Sequence, residues 1–296
     1  MQASRFELKY IIPEPVAQQV RDYVGSFLEL DENGQGKPDL SYPVHSLYID
    51  SDELQTYWDT INGNRDRFKL RIRYYDDDPS SPVFLEIKRR ANSCIQKQRV
   101  GVVREAVRMV LEGQIPPPSL VLGKEPKHLM ALQDFCRIQQ QMGARPKVHV
   151  AYMREAYLPV SGNSTRLTMD RKVRSEPDPE ARLSVTMTAP VNIWENTVVL
   201  ELKFTDRYPD WFGDLVRTFN LHQCGAAKYA DGIALLSGQM PQHRRMPQLV
   251  SDVPWAEVCG VHRPLGTAGR LARNIATAWN NLSPTDKICP EGEKQL

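Results

Sequence analysis

The chain has 296 residues, 41% hydrophobic and 25% charged, which is enough for one large core or two small ones. Thirty-eight Lys and Arg against 36 Asp and Glu leave a formal charge of +2, so no global field marks it as a nucleic-acid or membrane binder. No apolar run approaches the roughly 18 residues of a membrane helix, and the opening MQASRFELKY lacks the apolar stretch of a signal peptide. Transmembrane, secreted and collagen-like readings are excluded on this basis.

The five cysteines (94, 136, 224, 259 and 289) are odd in number, far apart and never spaced C-x-x-C. That spacing argues against a disulfide framework or structural zinc and fits a reducing cytosol. There is no G-x-x-x-x-G-K-[ST], H-E-x-x-H or G-x-S-x-G. Gly34 and Gly36 lack the third glycine of a dinucleotide fingerprint. If the protein handles phosphates, it does so without a P-loop.

Strict alternation from Arg5 to Tyr10 predicts a strand with one buried face. After Pro13 and Pro15, Val16, Val20, Tyr23, Val24, Phe27 and Leu28 follow helical spacing. A polar loop (31–39) leads to a strand at Pro43–Ile49 and a helix at Glu53–Ile61 that stops at Asn62-Gly63. Three strands follow at 67–75, 83–90 and 95–103, the first two joined by the turn sequence DDDPSSP. Helices are expected at Glu105–Glu112 and 127–142, and strands at Lys147–Tyr157, Arg166–Arg171, Leu183–Thr188 and Val198–Phe204. Helices at Asp210–Leu221 and from Lys228 complete a domain over residues 1–239. Residues 240–296, punctuated by proline and basic residues, read as a weakly ordered tail with one short helix at Gly269–Asn280. Antiparallel strands with helices between them make this an α+β chain built on a large sheet or barrel.

The informative feature is which strand face carries charge, since residues two apart share a face. Arg67, Lys69, Arg71 and Arg73 lie opposite Phe68, Leu70, Ile72 and Tyr74. Glu86, Lys88 and Arg90 share a face, as do Lys97 and Arg99, Glu201 and Lys203, and Arg166 and Asp170. An acid and a base flank one apolar residue three times, as Glu7-Leu8-Lys9, Glu86-Ile87-Lys88 and Glu201-Leu202-Lys203. Arg5, Lys9, Lys69, Arg71, Arg73, Lys88, Arg90, Lys97, Arg99, Arg154, Arg166 and Lys203 face only Glu7, Glu86, Asp170 and Glu201, so the positive charge is sorted onto strand faces. A solvated sheet face also carries polar residues outward. Consecutive same-face arginines repel, however, unless an anion lies between them, and their planar donor forks suit phosphate oxygens. If the strands close with this face inward, a cationic channel with a few metal-holding carboxylates is the physical expectation.

The segments RFELKY (5–10), LRIRY (70–74), LEIK (85–88), Tyr152-x-Arg154-x-Ala156-Tyr157, RLTMD (166–170), LELK (200–203) and Lys228-Tyr229 occur in the order seen in VTC domains. These are the polyphosphate polymerase domains of the vacuolar transporter chaperone type, within the triphosphate tunnel metalloenzyme superfamily. The resemblance spans residues 5–238 and implies an antiparallel β-barrel tunnel with surrounding helices. It implies ATP- and metal-dependent extension of polyphosphate with release of ADP. Carried over by position, Lys228, Arg71, Arg73 and Lys88 would act on the transferred phosphoryl group. Lys9, Lys69, Arg90, Lys97, Arg99, Tyr152, Arg154, Arg166 and Lys203 would grip phosphates. Glu201, with Glu86 and Glu7, would hold a divalent metal, Mn²⁺ or Mg²⁺. Lys228 at a helix start combines an amine with the helix dipole. Its replacement by leucine is expected to abolish synthesis with little change in folding.

Where the family has Ser-Lys-Tyr this chain has Ala227-Lys228-Tyr229, so one hydroxyl is missing. The attacking phosphate oxygen is already anionic, so no general base is required, and His45, His128 and His149 read as packing or surface residues. The rival readings are a tunnel triphosphatase, weakened because Arg5 stands two before Glu7 where such enzymes carry an acid, and a non-catalytic polyphosphate or inositol-phosphate binder. Nucleic acid is not an expected partner, since no base-stacking aromatics interleave the cationic faces. The expected location is cytoplasmic, with room for attachment to the inner membrane face through a separate membrane protein that receives the polymer. Oligomeric state is open at this level.

Overall fold

The computed structural model describes residues 5–238, apart from 93, 124, 163 and 206. The tail (240–296) with its expected helix, and Cys259 and Cys289, lie outside the described residues. In chain order the elements are β1 (Arg5–Pro13), α1 (Glu14–Val24), β2 (Glu29–Leu30), β3 (Tyr42–Asp50), α2 (Gln55–Ile61), β4 (Asp66–Tyr74), β5 (Val83–Ala91), β6 (Cys94–Val102), α3 (Ala106–Leu111), β7 (Val121–Leu122), α4 (Pro126–Met142), β8 (Arg145–Leu158), β9 (Thr165–Pro177), β10 (Val191–Asn192), β11 (Thr197–Thr205), α5 (Asp210–Thr218) and α6 (Lys228–Leu236).

The long strands run β9-β11-β1-β6-β5-β4-β3-β8, every neighbour antiparallel, and β8 pairs back onto β9. The wall thus curls into a barrel, continuous except at the β1–β6 seam, where Arg5↔Ile95 is the single register pair. Period-two alternation assigns the two sides of this wall. The outward apolar set of β4, β5 and β6 (Leu70, Ile72, Leu85, Ile87, Val100) packs with α3 and α4 through Val107, Val110, Leu132 and Phe135. On the other flank Tyr10, Ile12, Leu200 and Leu202 pack on α1 and α5 through Ala17, Val20, Phe212 and Leu215. Each helix buries one stripe, as its spacing dictates.

A third apolar cluster lies within the wall. Tyr229, Ala230 and Ala234 of α6 pack against the inward residues Val44, Tyr48, Val148, Val150 and Val173. Part of the interior is therefore filled by α6, and the helix presents its first residue, Lys228, to the remaining space.

Two stretches differ from the sequence expectation. The strand at Leu183–Thr188 is irregular chain. Its backbone is taken by side chains instead of a ladder: Thr188 and Ala189 N–H donate to Glu176, Val185 N–H to Asp77, and the Leu183 and Ser184 carbonyls accept from Arg104 and Tyr74. The strand expected at Arg166–Arg171 continues to Pro177, passing Lys172 at a φ of 51°. That residue marks a bulge, which lets a strand change its facing without ending.

Candidate active site

The polar strand faces converge on a cavity of about 430 Å³ inside the wall. Lys9, Lys69, Arg71, Arg73, Lys88, Arg90, Lys97, Arg99, Tyr152, Arg154, Arg166, Lys203 and Lys228 all line it, together with Glu7 and Glu201. Of the sixteen expected site residues, Glu86 alone is not in the lining. It is completely buried on the same face beneath Arg71 (2.6 Å), Lys97 (3.3 Å) and Arg99 (3.5 Å). In this arrangement Glu86 anchors three cations, which hold it on the wall.

Strand register explains the charge arrangement. Arg71 lies opposite Glu86, Glu86 opposite Arg99, Lys9 opposite Glu201 and Glu7 opposite Lys203, so these rows are internally compensated. One step along, Lys69 faces Lys88 and Lys88 faces Lys97, and beyond them Arg67 faces Arg90. Like charges directly opposite one another destabilise a sheet. Lys88 finds Glu7 at 3.0 Å, whereas Lys69, among the described residues, has no carboxylate at ion-pair distance and lies over the Tyr229 ring at 5.5 Å. Burial, with Lys9 and Lys88 nearby, pushes Lys69 down to about 7. Burial and the adjacent Arg71 and Arg99 likewise take Lys97 down to about 8 despite Glu86. The cavity wall is short of negative charge along this row.

The deepest group is built around Lys228, which is 8% exposed. Its Nζ lies 2.6 Å from Asp170 and 3.1 Å from Glu201, and 4.9 Å from the Tyr152 ring centroid. Arg154 donates to both Asp170 oxygens at 2.7 Å, and Lys203 approaches Glu201 at 2.6 Å. Burial alone would lower the Lys228 amine, but Asp170 and Glu201 hold it above the usual lysine range. Glu201, which burial would raise, is held well below the carboxylate range by Lys203, Lys228 and Lys9. Both are therefore charged at neutral pH. Beside them Arg73 donates to the Tyr152 hydroxyl (2.9 Å) and to Ser46. Arg166 pairs with Asp31 at 3.1 Å, while Arg90 is exposed and turned to the Asn92 carbonyl. Lys9 bridges Glu7 (3.2 Å) and the Ala226 carbonyl (2.8 Å).

Among the described residues no group of three or more His, Cys, Asp or Glu side chains is placed to hold a metal. Glu201, with Glu7 adjacent, would be the carboxylate shared with a hard divalent ion that also takes phosphate oxygens and water, and Lys203 and Lys228 hold it in place. This donor set does not fit an all-protein cage.

Residues 4–237 match the family model described as the VTC domain. The chain belongs to the VTC domain family. No curated protein matches it. Among solved structures, this VTC domain is similar to a protein provisionally assigned as an adenylate cyclase from Bacillus halodurans, at 13% identity and a TM-score of 0.43, covering 75% of this chain and 93% of that one. The PH1819 protein of Pyrococcus horikoshii OT3 aligns at 12% identity, TM-score 0.37, covering 80% and 99%. The mimivirus capping enzyme triphosphatase aligns at 10% identity, TM-score 0.33, covering 74% and 89%.

Two features of the VTC domain site escape a residue-by-residue reading. Asp170 is completely buried and holds both Arg154 and Lys228, yet in the sequence it is one acid on one strand. The signal was present in its sharing a face with Arg166. Tyr48 and Ser46 reach Arg71 and Arg73 from β3, whose run of apolar neighbours hides its polar inner face. His45 and His149, expected as packing or surface residues, lie buried on the outer side, their ring nitrogens 2.9 Å apart and stacked near Tyr74, away from the cavity's charged groups. No helix among the described residues is long and apolar enough to cross a membrane.

Proposed function

We propose that this VTC domain is a polyphosphate polymerase that transfers the γ-phosphoryl group of ATP to the end of a polyphosphate chain held in the tunnel. The observation that carries the reading is the cross-strand row Lys69–Lys88–Lys97, continued by Arg67 opposite Arg90. A repeating polyanion supplies one negative charge per few ångströms along such a row and converts repulsion into attraction.

Phosphoryl transfer asks the protein for in-line positioning and for stabilisation of spreading charge. Arg71 and Arg73, held by Glu86 and by Tyr152 with Ser46, keep their guanidinium planes fixed for bidentate contact with triphosphate oxygens. Lys228 and Arg154 stand at the buried end, where the γ-phosphoryl group would lie. The chain's terminal phosphate oxygen attacks the γ-phosphorus. The bond to the β–γ bridging oxygen breaks, and that oxygen leaves with its electron pair on ADP. The nucleophile is already anionic, so no side chain has to remove a proton, and the neutral histidines on the outer side are not needed. A divalent metal bound with the triphosphate at Glu201 would neutralise charge on the bridging and terminal oxygens.

The triphosphatase reading calls for a second acid two residues before Glu7 to organise a metal and an attacking water, and this chain has Arg5 there. The binding-only reading rests on Ala227, but Ala227 donates its N–H to Asp231 and needs no hydroxyl to begin α6. Purified protein incubated with ATP and Mn²⁺ is expected to give long chains on a gel and equimolar ADP per residue added. Free phosphate without chains would establish hydrolysis, and polyphosphate binding without ADP would establish a binder. The polymer is made in the cytosol, to be taken up by a separate membrane protein where one is present. Membrane fractionation tests that part.

A further inference from the structure

A second concavity, of about 720 Å³, lies on the outer side of the wall, within the about 300–1,000 Å³ range of small-molecule sites. It forms where β8 and β9 fall out of step. Ala151 pairs with Arg174 and Met153 with Arg171, leaving Lys172 and Val173 together opposite Tyr152. Tyr152 keeps the inward facing of Val148 and Val150 and accepts from Arg73, while the bulge lets Lys172 and Arg174 both border the outer groove. Asn192, paired with Arg174 in register, lines the groove with Asn196 and His45, and Glu195 is the acid in the lining.

The Arg174 side chain makes no hydrogen bond or ion pair among the described residues, and its Nε is buried without a partner. Lys172 is exposed and likewise unpaired, although Asp39 feels its charge. A partly buried guanidinium without a carboxylate is costly, and the other outer arginine of this strand, Arg171, has Glu14 and Glu155 as ion-pair partners. His45 beside it is neutral, since burial first, and then His149 and Arg174, push its pKa down to about 4. Together these donors suit a compact anion with several acceptor oxygens.

We propose that this groove is a second anion site, separate from the tunnel, taking a small phosphate-class ligand through Arg174 and Lys172 with the side-chain amides of Asn192 and Asn196. His45 is a built-in reporter, because its ring lies between the groove and His149. The test follows histidine ring signals by long-range ¹H–¹⁵N NMR on the full chain, titrating inorganic phosphate and, separately, pyrophosphate. The His45 and His149 signals are expected to move and saturate. The better anion identifies the ligand as mono- or diphosphate. Arg174→Gln should abolish the movement, Arg174→Lys should retain part of it, and Lys172→Gln should weaken the response at least fivefold. Arg71→Ala, which alters the tunnel, should leave it unchanged, so failure of the tunnel reading is separable from failure of this one. A His45 signal that stays fixed in the wild type, or that responds equally in a folded Arg174→Gln variant, overturns the proposal.

Discussion

Replacing Lys228 by methionine removes the only amine within ion-pair distance of both Asp170 and Glu201 among the described residues, at 2.6 and 3.1 Å. The amine is 8% exposed, so the sequence-level expectation that its loss leaves folding untouched gives way to a charge-balance argument. Removing one partner of a buried ion pair costs about 3–5 kcal/mol when the other is stranded. Here Asp170 keeps both Arg154 contacts at 2.7 Å and Glu201 keeps Lys203 at 2.6 Å, which places the cost near or below the low end of that range. A loss of about 2–3 kcal/mol lowers the melting temperature of a domain this size by about 4–12 °C. The assay pairs thermal unfolding by circular dichroism with polyphosphate synthesis on gels. Lys228→Met should melt early and make no polymer. A Lys228→Met protein that melts with the wild type would refute the buried charge cluster, and one that still makes polymer would remove Lys228 from the chemistry.

Other expectations follow from the same cavity. Arg71→Ala should raise the apparent KM for ATP by about 10–100-fold, the loss of one or two charge-assisted hydrogen bonds. An unchanged KM in steady-state assays would take Arg71 out of the triphosphate site. Lys69→Met should raise the melting temperature of the empty protein by about 2–6 °C, since an unpaired cation leaves the like-charge row, while weakening polyphosphate binding by calorimetry. The pH dependence has a definite sign. Lys69 near 7 and Lys97 near 8 are depressed in the empty tunnel, and a bound polyanion restores their charge. Between about pH 7 and the ordinary lysine range, binding therefore takes up protons and affinity falls as pH rises. Over the same window the unfolded chain binds more protons than the empty fold, so these two groups make the ligand-free protein more stable with rising pH. Calorimetry across pH 6.5–9.5 that shows no proton uptake would contradict this.

The barrel was legible because its two sides obey opposite rules at a period of two. Phe68, Leu70 and Ile72 could face only a core, which turned Lys69, Arg71 and Arg73 the other way. That logic failed where side chains, not ladders, satisfy the backbone: the apolar alternation at Leu183–Thr188 is spent on packing Leu183 and Val185 against the outer core, and Glu176 takes the N–H groups. It also failed for partners. Glu86 and Asp170 are equivalent on paper, each an acid on a basic face, and only register distinguishes them. Asp170 comes opposite Arg154 and within reach of Lys228, while Glu86 comes between Arg71 and Arg99. The bulge at Lys172 was invisible because its cause is a mismatch between two strands, not a property of one.

The seam between β1 and β6 gives the enclosure a closure unlike that of the rest of its circumference. One backbone pair, Arg5↔Ile95, joins the two strands, and Lys88 on β5 reaches across to Glu7 on β1 to span the gap with side chains. A ladder of amide bonds is indifferent to electrolyte, but a clasp made of ionised groups is screened by it and competes with any bound phosphate for the same lysine.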